Sequence, residues 1–215
     1  MNTSGLSARI LPAVLLLGVG AAGAPQLVLG QAVGAASAPA PMYPGRYPYT
    51  RADVDFITGM ISHHAQAIVM ANWAPTHGAG KSVSILCERI INAQTDEITL
   101  MQNWLKDRNQ PVPDAKPLPM KMMMNGVEHE MMMPGMLTDD QMKQLDQARG
   151  TDFDRYFLTF MIQHHQGAIT MVNQLFGSPG AGQDEVVYKF ASDVYADQGT
   201  EIERMKKMLS TLPQR

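Results

Sequence analysis

The sequence predicts an all-α protein whose four long helices form two matched helical hairpins. Three observations predict it. First, residues 53–70 and 154–171 agree in residue type at nine positions, at a constant offset of 101: Asp53/Asp154, Phe56/Phe157, Met60/Met161, Ile61/Ile162, His63/His164, His64/His165, Ala67/Ala168, Ile68/Ile169 and Met70/Met171. Second, the repeat continues downstream of each block. Gln94, Glu97, Ile98, Met101 and Leu105 match Gln198, Glu201, Ile202, Met205 and Leu209 at an offset of 104. Third, apolar residues such as Ile90, Ile91, Ile98, Met101, Trp104 and Leu105 recur at helical spacing. A duplicated pair of amphipathic helices buries its apolar face against its twin.

The N-terminus reads as an export signal. A short basic region ends at Arg9, an apolar run covers Ile10 to Val19, and small residues follow. Cleavage sites are offered after Ala24 or Ala32, so residues 1–32 are expected to be a signal peptide or an N-terminal anchor. The run is short for a membrane span. The body of the protein is then expected outside the cytoplasm, periplasmic or extracellular. Residues 33–50, rich in Ala, Pro, Gly and Tyr, read as a disordered leader.

The bundle is expected over residues 51–212. Thr50 with Asp53 resembles a capping box and starts the first helix, which Pro75 and Gly78 stop near Trp73. A second helix fits residues 81–108, ended by Asn109 and Pro111, and completes a first hairpin over 51–109. Residues 110–150 form a Met-rich connection. A short helix is expected in it from Thr138, where Gln141 completes a capping box. Thr151 with Asp154 is expected to cap the next long helix, which Gly177 and Pro179 end. The last helix spans about Gln183 to Leu209 and closes a second hairpin over 151–212.

Composition narrows the chemistry. The formal net charge is −3, which argues against nucleic acid as a partner. Cys87 is the single cysteine, so no intramolecular disulfide and no Cys cluster is available. It is expected to be a small buried core residue. Methionine is the outlier, at 18 residues against 6 phenylalanines. In an oxidising compartment thioethers keep their ligand capacity better than thiolates do.

Four of the six histidines lie in the two repeated pairs. On a helical wheel, His63 and His64 flank Met60 at i+3 and i+4, the spacing at which helical side chains meet. Met70 falls on the side of His63, and Met161, His164, His165 and Met171 reproduce the pattern. Imidazole and thioether together suit copper. The rival reading makes the histidines satisfied polar groups and the methionines core filler. Duplication of the whole set favours metal. The facing of the two histidine helices favours one shared or closely spaced site.

Glu97 and Glu201 are carboxylates on otherwise apolar helix faces. They suit accepting the N–H of a ligating histidine, direct ligation, or pairing inside the bundle. Asp53 and Asp154 are expected as first-turn caps, and His77 as a surface histidine near a helix end. Secondary metal candidates are Met101 and Met205 in the repeat, and the connection's Met120, Met122, Met123, Met124, His129, Met131, Met132, Met133 and Met136. A loop has little core to fill, so this methionine density suggests Cu(I) capture or a hydrophobic flap over the bundle.

The stretches Asp55-Phe-Ile-Thr-Gly-Met-Ile-Ser-His-His64, Phe157-Leu-Thr-Phe-Met-Ile-Gln-His-His-Gln-Gly-Ala-Ile169 and Met133-Pro-Gly-Met136 resemble the signature of the family called domain of unknown function 305. The resemblance covers about residues 51–210. It implies a ferritin-like four-helix bundle and, through CopM-like members of the family, an exported copper-binding protein for copper tolerance. By that resemblance Met60, His63, His64, Met70, Met161, His164, His165 and Met171 take the ligand role. The function expected is sequestration or delivery of copper, Cu(I) and also Cu(II), with a copper-exporting or copper-accepting protein as partner. A ferritin-like metal-dependent oxidase is one alternative, weakened because no Glu-x-x-His motif is present. A metal-free interaction module using the Met-rich segment is the other. No nucleophile–base set argues for catalysis.

Overall fold

A computed structural model describes residues 48–124 and 127–213, with backbone alone over 120–131. The expected signal segment and residues 33–47 of the expected leader lie outside the described residues. The described residues form five helices: α1 (Arg51–Asn72), α2 (Lys81–Asp107), α3 (Asp139–Gln147), α4 (Thr151–Gly177) and α5 (Glu185–Thr211). α1 packs along α2, α4 along α5, and α1 against α4. Among the described residues no helix is long and apolar enough to cross a membrane.

Helix α1 starts where the sequence places it. The Thr50 hydroxyl accepts the Asp53 N–H at 3.3 Å, and the Asp53 carboxylate accepts the Thr50 N–H at 2.6 Å. A cap of this kind contributes about 1 kcal/mol. The Thr138–Gln141 box opens α3 in the same way. Asn109, in the left-handed region at φ 52°, follows the Arg108 cap of α2.

The start of α4 departs from expectation. Gly150, at φ 56°, is the N-cap, and no side chain caps the helix. Thr151 is already helical, and Asp154 looks outward to another element. Its carboxylate accepts the Gly80 N–H, at 3.1 and 3.2 Å to its two oxygens, at the entrance to α2. Asp53 has the matching outward contact, accepting the Gly182 N–H at 2.7 Å just before α5. Each repeated aspartate thus ties the start of its own helix to the loop of the other hairpin. These ties make α1 and α4 antiparallel. A further tie is buried: Asp184, the N-cap of α5, pairs with Arg108 and accepts the Trp104 indole N–H at 3.0 Å.

Two further expectations are corrected. The Met-rich connection is not loop throughout. Strands β1 (Met120–Met124) and β2 (Val127–Met131) pair antiparallel, with Met122 opposite His129. The signal was Asn125-Gly126 in the sequence, the dipeptide that favours a two-residue hairpin turn. His77 is buried, not at the surface. Its ring stacks on Trp73 and contacts Phe153, and its Nε2–H donates to the Asp146 carbonyl at 2.9 Å. Cys87 is buried as expected, and burial pushes its thiol up to about 12.

The apolar core falls into two clusters. On every long helix the buried apolar residues divide between them at the same level. One cluster takes Met60 and Ile61 of α1, Ile98 and Met101 of α2, Ala168 and Met171 of α4, and Ala191 and Val194 of α5. The other takes Ala67 and Met70, Leu86 and Ile90, Phe157 and Met161, and Ile202 and Met205 from the same four helices. Between them on each helix stand polar residues: His63 and His64, Gln94, His164 and His165, and Gln198. That layer positions the site.

Candidate metal centre

His63, His64, His164 and His165 are all fully buried. The helical register brings His63 and His164 together where α1 and α4 meet, while His64 turns to Glu97 on α2 and His165 to Glu201 on α5. The rings of His63 and His164 lie 3.7 Å apart, centroid to centroid. The ring centroids within each adjacent pair are 6.3 Å and 6.2 Å apart. The two histidine helices therefore meet at the repeated pair, and the facing expected from sequence is present.

Each ring has one committed nitrogen. His64 Nε2 donates to Glu97 Oε2 at 2.7 Å, and His165 Nε2 donates to Glu201 Oε2 at 2.9 Å. His63 Nε2 donates to the Pro134 carbonyl at 3.0 Å, and His164 Nε2 donates to the His63 carbonyl at 3.0 Å. All four acceptors are carbonyl or carboxylate oxygens, so the network assigns the proton to Nε2 throughout. Nδ1 then carries the lone pair. All four Nδ1 atoms are buried without a hydrogen-bond partner in the protein. A buried polar atom left so costs about 1–3 kcal/mol, and four of them, one on each repeated histidine, call for an explanation. Lone-pair nitrogens with their opposite N–H groups anchored are what a metal ligand requires.

Electrostatics keep the contacting pair neutral. Burial, then the neighbouring His64, pushes the His63 imidazole down to about 3. Burial, then His63 and His165, holds His164 well below the usual histidine range. Neutral imidazole is the form that binds metal.

Among the described residues, no three His, Cys, Asp or Glu side chains are gathered so as to hold an ion by themselves. Thioether sulfur is the remaining donor type. Met60, Met70, Met161 and Met171 are buried, as are Met101 and Met205. Their distribution exchanges partners between the halves. Met60 and Met101 of the first hairpin cluster with Met171 of the second, and Met161 and Met205 cluster with Met70.

The connection reaches the centre directly, a relationship the sequence reading missed. Met133 and Met136, expected in a flexible loop, are buried in the core, while Met132 is exposed. The segment between them lies on α4 at Gly167, where an added Cβ would stand 1.9 Å from the Pro134 carbonyl oxygen. Gln66, the repeat partner of Gly167, clasps the segment from α1. Its amide donates to the Leu137 carbonyl at 3.0 Å and accepts the Leu137 N–H at 2.7 Å. The available signal was this asymmetry, Gln66 against Gly167 in an otherwise matched repeat. The side chains of Met120, Met122, Met123, Met124, His129 and Met131 lie outside the described residues.

Fold and site define a helical protein built around a buried histidine layer. The chain belongs to the family described as domain of unknown function DUF305, whose profile matches residues 53–209. Solved structures agree. A DUF305 fragment from Deinococcus radiodurans is 26% identical with a TM-score of 0.63, covering 77% of this chain and 99% of that one. CopM in its Cu(I)-bound form is 28% identical with a TM-score of 0.56, covering 74% and 95%. CopM in its Cu(II)-bound form is 28% identical with a TM-score of 0.57, over the same shares. No curated protein matches the chain.

Proposed function

We propose that this protein binds copper as cargo and sequesters or delivers it in copper tolerance. The observation that carries the reading is the set of four buried histidines, each with Nε2 anchored and Nδ1 without a partner. The candidate donors are Nδ1 of His63, His64, His164 and His165, with sulfur from Met60, Met70, Met161 and Met171 completing a site that no three of the described histidines and carboxylates gather to form by themselves. Glu97 and Glu201 would fix the tautomer of His64 and His165 and raise their basicity. Thioethers favour Cu(I), and imidazole accepts Cu(I) and Cu(II). The copper-bound CopM structures support the choice of metal.

The four long helices are read as a ferritin-like bundle of two duplicated hairpins over residues 51–212, with the connection as an added strap. The N-terminal pattern supports export, to the periplasm or beyond, with residues 1–32 as its signal. A membrane exporter or a periplasmic acceptor of copper is the partner this role needs. The test is metal analysis of the exported form with separate Cu(I) and Cu(II) titrations. Tight binding that is lost in a variant with all four histidines replaced supports the reading. No uptake of either ion overturns it.

A further inference from the structure

We infer that Gln94 and Gln198 belong to the same centre, each hairpin supplying one amide oxygen, and that this pair sets its capacity for the oxidised ion, Cu(II). The inference rests on the copper reading and adds donors to it. The two residues are matched by the repeat, one on α2 and one on α5. Both are buried, at 3% and 4% exposure, and the Oε1 atom of each has no hydrogen-bond partner in the protein. Each precedes by three residues the glutamate that holds a site histidine, Glu97 on His64 and Glu201 on His165. Residues at i and i+3 share a helix face, so the amides lie on the face turned toward the histidine helices.

Their level in the fold is the second observation. Gln94 stands between Ile90 of one core cluster and Ile98 of the other, and Gln198 stands between Val194 and Ile202 in the same way. The two amide oxygens therefore share the polar layer with the four orphaned Nδ1 atoms. A buried, unpartnered carbonyl oxygen is costly, and leucine or methionine would fill such a position without that cost. A donor role accounts for it. Amide oxygen is a harder donor than thioether or imidazole and favours the oxidised ion, whereas Ag(I) and Cu(I) are satisfied by sulfur and nitrogen.

The experiment compares the full chain with its Gln94→Leu/Gln198→Leu variant. Ag(I) and Cu(II) are titrated separately, and the Cu(II) form is examined by electron paramagnetic resonance. The expected result is a loss of about tenfold or more in Cu(II) affinity, the scale on which supporting groups at metal sites act. A changed Cu(II) spectrum and unaltered Ag(I) affinity and stoichiometry accompany it. Should the leucine variant fail to fold, Gln94→Met/Gln198→Met keeps the test open, with Cu(II) weakened relative to Ag(I). Unchanged Cu(II) affinity and spectrum in either folded variant overturn the inference while leaving the copper reading intact. A wild-type chain that takes up neither ion overturns both.

Discussion

His164 donates its Nε2–H to the backbone carbonyl of His63 at 3.0 Å, and their rings lie 3.7 Å apart. The second histidine pair is thus oriented by the backbone of the first. The two halves of the repeat meet at this place in the fold.

Replacing His63 and His64 by alanine is therefore expected to impair metal binding at His164 and His165 as well. The truncated rings leave His164 without its packing partner, although the His63 carbonyl persists. Ag(I) titration of the double variant checks this. Undiminished binding of half the wild-type metal would mean that the two pairs act separately.

Acid is expected to destabilise the metal-free protein well above the pH at which carboxylates protonate. His63 resists protonation in the folded state, with a value of about 3 against an ordinary 6.5. The unfolded chain takes up that proton first. Stability is full above about 6.5 and falls as pH falls toward about 3, by on the order of a few kcal/mol. His164 shifts in the same direction and adds to the loss. Asp154, raised by burial, works the opposite way and gains as pH falls. Urea unfolding of the metal-free protein at about pH 7.5 and about pH 4.5 measures the difference. A midpoint that does not move would show that the buried rings are protonated without penalty.

Gly167→Ala is expected to displace the connection from α4. A Cβ there meets the Pro134 carbonyl oxygen at 1.9 Å, and that oxygen accepts from His63. The cost should be about 1–3 kcal/mol, typical of overpacking. Gly199→Ala is the control, since nothing lies within 4 Å of its Cβ position. It should stabilise α5 by about 0.5–1 kcal/mol. Thermal melts of the two variants should move in opposite directions.

Much of this was legible in the sequence because a repeat reports on itself. The histidine pairs, the helix that bears them and the Thr50 and Thr138 caps all follow from local spacing. What local spacing hides is the partner chosen across the fold. Asp154 reads as a first-turn cap, but Gly150 is the cap and the carboxylate serves Gly80. Met133 and Met136 read as loop thioethers because nothing local says that Gly167 leaves room for their segment to dock. Gln94 and Gln198 stand in the sequence only as matched positions of the repeat, and the division of the core into two clusters is what sets them at the level of the histidine pairs.

Removing the charge at Glu97 or Glu201 is expected to weaken binding and leave the fold in place. Glutamine retains an oxygen that accepts from the imidazole, so Glu97→Gln keeps the tautomer of His64 and lowers its basicity. Metal affinity should fall about tenfold, the lower end of the range for such groups. Competition titration of Glu97→Gln, Glu201→Gln and the pair provides the check. Unaltered affinity in the double variant would make these carboxylates structural partners only.

The most direct test reads the four imidazoles themselves. Two-dimensional nitrogen spectra of the 15N-histidine-labelled protein, with and without stoichiometric Ag(I), report which ring nitrogen carries the proton and which binds the ion. Nε2–H tautomers are expected at His63, His64, His164 and His165 in the metal-free state. On addition of Ag(I), coordination shifts should appear at their Nδ1 atoms, with Nε2 still protonated. Spectra that do not respond to Ag(I), or coordination through Nε2, would contradict it.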